Sequence, residues 1–97
     1  MIVTILSKTD CPSCKRAKEW LASAGIEYAE EVYDDFAERQ AMYDRLGLVG
    51  TERTVPQITV SHVLNDEPVI VEHIRGYEAL TESTLDYRAA FFSQKSG

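Results

Sequence analysis

The chain has 97 residues, 44% of them hydrophobic and 27% charged, with a formal net charge of −6. That composition is globular rather than disordered. The acidic balance argues against a nucleic-acid surface, which needs a basic face. No apolar run approaches the ~18 residues of a membrane helix. One domain spanning 1–97 is expected, near the lower size limit for an unstapled core.

Ile2 to Leu6 is apolar and β-branched and predicts a buried strand. Met1 to Leu6 lacks the charged leader and cleavage site of a signal peptide, so a reducing cytoplasmic location is expected. Ser7 to Asp10 is a polar loop, and Pro12 suits the first turn of a helix. Ala17, Trp20, Leu21 and Ala24 recur at i, i+3, i+4 and i+7, the stripe of an amphipathic helix, and Gly25 stands where it would end.

Ile26 to Tyr33 predicts a second strand. Asp34 or Asp35 caps a second helix, with Phe36, Met42, Tyr43 and Leu46 as its apolar positions. Gly47 to Arg53 is a loop. Val55 to Leu64 and Val69 to Val71 flank the turn cluster Asn65–Pro68 and predict a hairpin. A last helix runs from Tyr77 to Phe92, with Leu80, Thr84, Leu85, Ala89 and Phe92 on one face, and the tail 93–97 is frayed. The order is β-α-β-α-β-β-α. It predicts an α/β fold, a four-stranded mixed sheet flanked by three helices.

Chemistry concentrates at the only two cysteines, Cys11 and Cys14. A bridge three residues apart closes too small a loop to act as a structural staple. The thiolate is the reactive form of cysteine, favoured at a helix N-terminus and beside cations. Lys8, Lys15, Arg16 and Lys18 surround the pair. Cys11, at the helix end, is the expected nucleophile. Cys14, one turn in and more buried, is the expected resolving thiol. A zinc site is the rival for any CxxC, but His62 and His73 are eleven positions apart, outside the usual spacing, so no metal is expected. Both histidines read as ordinary hairpin residues, Trp20 as core, and Glu30, Glu31, Asp34 and Asp35 as a solvated loop and helix start.

Three segments together resemble the glutaredoxin family: Ser7–Cys14 its active-site segment, Arg53–Ile58 its cis-proline segment, and Ile74–Leu80 the opening of its last helix. The resemblance spans nearly the whole chain and implies a thioredoxin-like fold. It implies glutathione-dependent reduction of protein disulfides and glutathione mixed disulfides, with glutathione as co-substrate and no bound cofactor.

It also implies a glutathione site. Pro56 would be cis, with the Val55 backbone free to pair with the tripeptide and Thr54 in the same wall. Lys8 and Arg53 would face the glycine carboxylate, and Pro12 and Ser13 would flank the thiol. Gly76, Tyr77 and Glu78 would meet the γ-glutamyl end through backbone N–H groups.

The sequence departs from the family pattern in four places. Ser13 replaces a usual Tyr or Phe, Arg75 the first glycine of a Gly-Gly pair, and Glu78 a usual Asp, and the hairpin Thr59–Glu72 is long. The family also contains electron donors to ribonucleotide reductase that take electrons from thioredoxin reductase, and iron–sulfur cluster-binding or partner-binding members. These are the rival readings. A monomer acting on glutathione and disulfide-containing proteins, with no nucleic-acid or membrane partner, is expected.

Overall fold

The computed structural model describes residues 1–88. Its elements in chain order are β1 (Ile2–Ser7), α1 (Pro12–Ser23), β2 (Ala29–Val32), α2 (Phe36–Arg45), a 3-10 turn (Gly50–Glu52), β3 (Gln57–Leu64), β4 (Glu67–Arg75) and α3 (Tyr77–Glu82). The four strands form one mixed sheet in the order β2-β1-β3-β4. β1 and β2 are parallel, while β1–β3 and β3–β4 are antiparallel. The expected α/β architecture and element order are those observed.

Strand alternation sends side chains to two separate cores. Val3, Ile5, Ile58, Val60 and Ile74 meet Ala17 and Leu21 of α1 and Leu80 of α3 on one face. Leu6 meets Met42 and Tyr43 of α2, with Leu48 beyond it, on the other. The predicted α1 stripe is seen: Ala17 and Leu21 are fully buried, and Trp20 and Ala24 are half-buried against the same core.

Both long helices end in the same way. After α1, Gly25 takes φ +73 and its N–H donates to the Ala22 carbonyl, while Ile26 N–H donates to Leu21. After α2, Gly47 (φ +71) and Leu48 repeat the pattern onto Asp44 and Tyr43. The left-handed glycine satisfies orphan carbonyls and folds an apolar residue back onto the helix. This explains why the second strand begins at Ala29 and not at Ile26: the Ile26 N–H is already committed to α1. That strand also stops at Val32, one residue short of Tyr33.

Other boundaries differ from expectation as well. β3 starts at Gln57 rather than Val55, because Pro56 has no N–H to give a ladder. The hairpin turn is only two residues, Asn65 and Asp66, both at positive φ as a tight primed turn requires. β4 therefore covers nine residues instead of three, with Pro68 tolerated because β4 is an edge strand. Phe36 is 68% exposed and is not part of the apolar face of α2.

The last helix is interrupted. α3 ends at Glu82, Ser83 is extended, and helical backbone resumes over 85–88. The Ser83 hydroxyl donates to the Leu80 carbonyl at 2.6 Å and accepts from Leu85 N–H at 3.4 Å, diverting the backbone as serine does when it competes for helical partners. Leu80 and Leu85 are buried as expected, but Thr84 is exposed. Ala89, Phe92 and the tail lie outside the described residues.

Candidate functional site

The two cysteines sit where β1 hands over to α1. Cys11 caps the helix in an extended conformation, with Pro12 in the first turn. The Cys14 N–H donates to Cys11 Sγ at 3.1 Å, and Lys15 N–H donates to the Cys11 carbonyl at 3.1 Å. Orphan N–H groups and the helix field therefore converge on Cys11. No acidic residue stands in the first turn of α1 to oppose them. The cysteines are bridged, with Cα atoms 5.2 Å apart. Cys11 is half-buried and Cys14 only 1% exposed, the asymmetry expected of an outer and an inner thiol.

The loop leading to Cys11 is tied down from outside. Thr9 donates through its N–H and its hydroxyl to the two Asp34 carboxylate oxygens at 2.7 and 2.6 Å. Those bonds, the hydroxyl's first, hold the Asp34 carboxyl below its usual pKa. Asp35 accepts from Glu38 N–H at 3.0 Å and caps α2. Glu30 takes the Ser7 hydroxyl at 2.7 Å and the Lys18 ammonium at 3.0 Å, and sits below the usual carboxylate range, chiefly because of Ser7. Asp35 is the helix cap that the sequence offered, whereas the expectation of simply solvated carboxylates is corrected for Glu30, Asp34 and Glu31, the last of which accepts from the Tyr33 hydroxyl.

Beside Cys11 a groove of about 490 Å³ opens between α1, α2 and the segment before β3. Lys8, Pro12, Ser13, Arg53, Thr54 and Val55 line it together, along with Arg39, Gln40 and Tyr43 of α2. Cys11 Sγ lies 3.9 Å from the Val55 carbonyl oxygen. The Val55–Pro56 peptide is cis.

Arg53 is anchored by donations from Nε to the Leu48 carbonyl at 2.9 Å and from Nη1 to Gln40 Oε1 at 2.7 Å, by an ion pair with Asp44, and by the Tyr43 ring 5.9 Å away. Its position is thus set before any ligand arrives. Gly76, Tyr77 and Glu78 do not line this groove. Gly76 caps α3, one residue beyond the Gln57–Arg75 pair, and Tyr77 and Glu78 open that helix. Arg75 is exposed and pairs with Glu52 at 2.9 Å.

The wall behind Val55 is braced by residues that sequence patterning passed over. Gln57 is 1% exposed, and its Nε2 donates to the Thr54 carbonyl at 2.8 Å. Its Oε1 is then the acceptor facing His73 Nε2 at 2.7 Å, which assigns the His73 proton to Nε2. His73 is therefore a brace and not an idle hairpin residue. Among the described residues no group of three or more His, Cys, Asp or Glu is placed to hold a metal ion. None of the helices described is long and apolar enough to cross a membrane.

Comparison with known proteins matches this arrangement. The family model described as Glutaredoxin matches residues 3–64. Glutaredoxin 3 of Escherichia coli strain K12 is 41% identical over 79 residues, covering 80% of each chain. The chain belongs to the glutaredoxin family.

Two solved glutaredoxins are similar throughout. Glutaredoxin 1 from Francisella tularensis has a TM-score of 0.66 at 29% identity, over 91% of this chain and 95% of its own. Glutaredoxin from Brucella melitensis has a TM-score of 0.63 at 29% identity, over 90% and 86%. As a glutaredoxin, the protein is a thiol–disulfide oxidoreductase, and its CxxC is of the dithiol type. The small, half-buried Ser13 side chain forms part of the groove wall.

Proposed function

We propose that this glutaredoxin reduces protein disulfides and glutathione mixed disulfides with glutathione as its reductant, in a reducing cytoplasm. Cys11 acts as nucleophile and Cys14 as resolving thiol. The observation that carries this reading is the groove that Lys8, Arg39 and Arg53, against the single carboxylate Asp10, line together with the half-buried Cys11 and Val55. Glutathione carries two carboxylates and one ammonium, so a cationic groove that ends at a sulfur suits it. Val55 offers its backbone for strand-like pairing, Thr54 extends that wall, and Pro12 and Ser13 flank the sulfur. Pro56 supports the Val55 wall. Gly76, Tyr77 and Glu78, at the start of α3, take the γ-glutamyl end.

The chemistry conserves electrons as follows. The Cys11 thiolate attacks a substrate disulfide, forming a mixed disulfide and releasing one thiolate, which takes a proton. Cys14 then displaces the second product thiolate and leaves the Cys11–Cys14 bridge. Two glutathione molecules reduce that bridge and become glutathione disulfide. A glutathionylated substrate gives its glutathione directly to Cys11, without Cys14.

The test is turnover of a glutathione mixed disulfide with glutathione and glutathione reductase, compared with turnover driven by thioredoxin reductase. Turnover with glutathione is expected. Reduction by thioredoxin reductase alone would overturn the proposal in favour of an electron donor of the ribonucleotide-reductase kind.

A further inference from the structure

A second groove, of about 840 Å³, runs between α1 and β2 and is lined by both cysteines. The charged groups facing it are Lys8 and Asp10 from the loop, Lys15 and Lys18 from α1, and Glu30 from β2. Three of the elements around this groove are linked by one oxygen. Glu30 Oε2 accepts from the Ser7 hydroxyl of β1 at 2.7 Å and holds Lys18 Nζ of α1 at 3.0 Å. Ser7 is 1% exposed, so this carboxylate is anchored to the sheet, and Lys18 is anchored to the carboxylate.

Cys14 and Lys18 are four residues apart in α1, and helical geometry places side chains at that spacing on one face as neighbours. Cys14 differs from Cys11 in what can support its charge. It is 1% exposed, at the floor of the groove, so solvent screens a charge on it far less than one on the half-buried Cys11. A resolving thiol must nevertheless lose its proton before it can attack.

We infer that Lys18 supplies the counter-charge for the Cys14 thiolate, and that Glu30 is a positioning residue that holds the ammonium over the groove and moderates its field. The inference rests on the dithiol reading proposed above. In the step concerned, the Cys14 proton leaves to water in the groove and the sulfur anion attacks Cys11 of the mixed disulfide. The Cys11–Cys14 bond forms, the Cys11–substrate bond breaks, and the substrate thiolate takes a proton from water. The two electrons pass from the cysteine pair to the substrate disulfide. Because the bridged form is uncharged and the reduced form carries thiolate, a nearby cation favours the reduced form and a nearby carboxylate opposes it.

The experiment is the redox equilibrium of the Cys11–Cys14 couple in the full chain, measured at neutral pH against dithiothreitol for wild type, K18Q, K18R and E30Q. Lys18→Gln should shift the equilibrium at least threefold toward the bridge, or ~14 mV more reducing at 29.6 mV per decade. Glu30→Gln, which keeps an acceptor for Ser7 and Lys18, should shift it the opposite way. Lys18→Arg should match wild type.

In a Cys11→Ser background, the ultraviolet absorbance of the Cys14 thiolate should appear at higher pH with K18Q and at lower pH with E30Q. Shifts of K18Q and E30Q in the same direction, or no shift in either, would overturn the inference. Because dithiothreitol sets these equilibria, a failure of glutathione turnover would sink the functional proposal separately.

Discussion

The Cys14 N–H donates to Cys11 Sγ at 3.1 Å, so the sulfur that caps α1 is also the sulfur that faces the groove. Stability and reactivity of one side chain are therefore separable by substitution. Serine keeps a capping oxygen and alanine does not. With all proteins reduced, Cys11→Ser should melt close to wild type. Cys11→Ala should lose about 1 kcal/mol, or about 4–8 °C for a domain of this size. Both should be inactive in disulfide turnover. Full deglutathionylation by either variant would refute Cys11 as the nucleophile.

Met42 and Phe36 lie on the same short helix with opposite fates, 0% and 68% exposed. Met42→Ala should cost about 2–5 kcal/mol in urea unfolding, because it empties a filled site against Leu6 and Leu48. Phe36→Ser should cost less than about 1 kcal/mol, since the residue is mostly exposed and loses a surface contact with Arg39.

His73 should give the protein a pH-dependent stability near neutrality. Burial, with a smaller contribution from Arg75, pushes its pKa below 6.5. Below pH 6.5 the unfolded chain binds a proton that the folded chain resists, so stability is full above that value and declines as pH falls through it. His73→Phe should flatten this limb in pH-dependent unfolding. It should also raise KM for glutathione, because the Gln57 brace on Thr54 loses a partner.

Asp34 adds a separate acid limb. Its carboxyl is held below the ordinary 3.8 by the two Thr9 donors, so its contribution is present above that value and is lost as pH falls through the depressed folded value. Asp34→Asn should reduce the slope of stability against pH below about pH 4. Thr9→Val should do the same, and its active-site loop should show faster amide exchange. An unchanged acid limb in both would contradict the tie.

The one-dimensional pattern determined a good deal about this protein. Element order follows from local signals: β-branched runs, the Ala17–Leu21 stripe, Gly25 as its stop and the loop opening at Gly47. The position of Cys11 at a helix end follows from Pro12 alone. Those signals are local, because propensity and periodicity act over a few residues.

Tertiary structure decided the rest. Whether Phe36 is core depends on how α2 lies on the sheet, not on its spacing. Where β2 begins depends on a hydrogen bond back to α1, and where the last helix breaks depends on the Ser83 hydroxyl. The partners Ser7–Glu30–Lys18, Thr9–Asp34 and Gln57–His73 join residues from different segments of the chain, up to 25 positions apart. A charged or polar residue looks the same in sequence whether it is solvated or paired. Only chain folding, which brings a donor to one particular acceptor, separates the two.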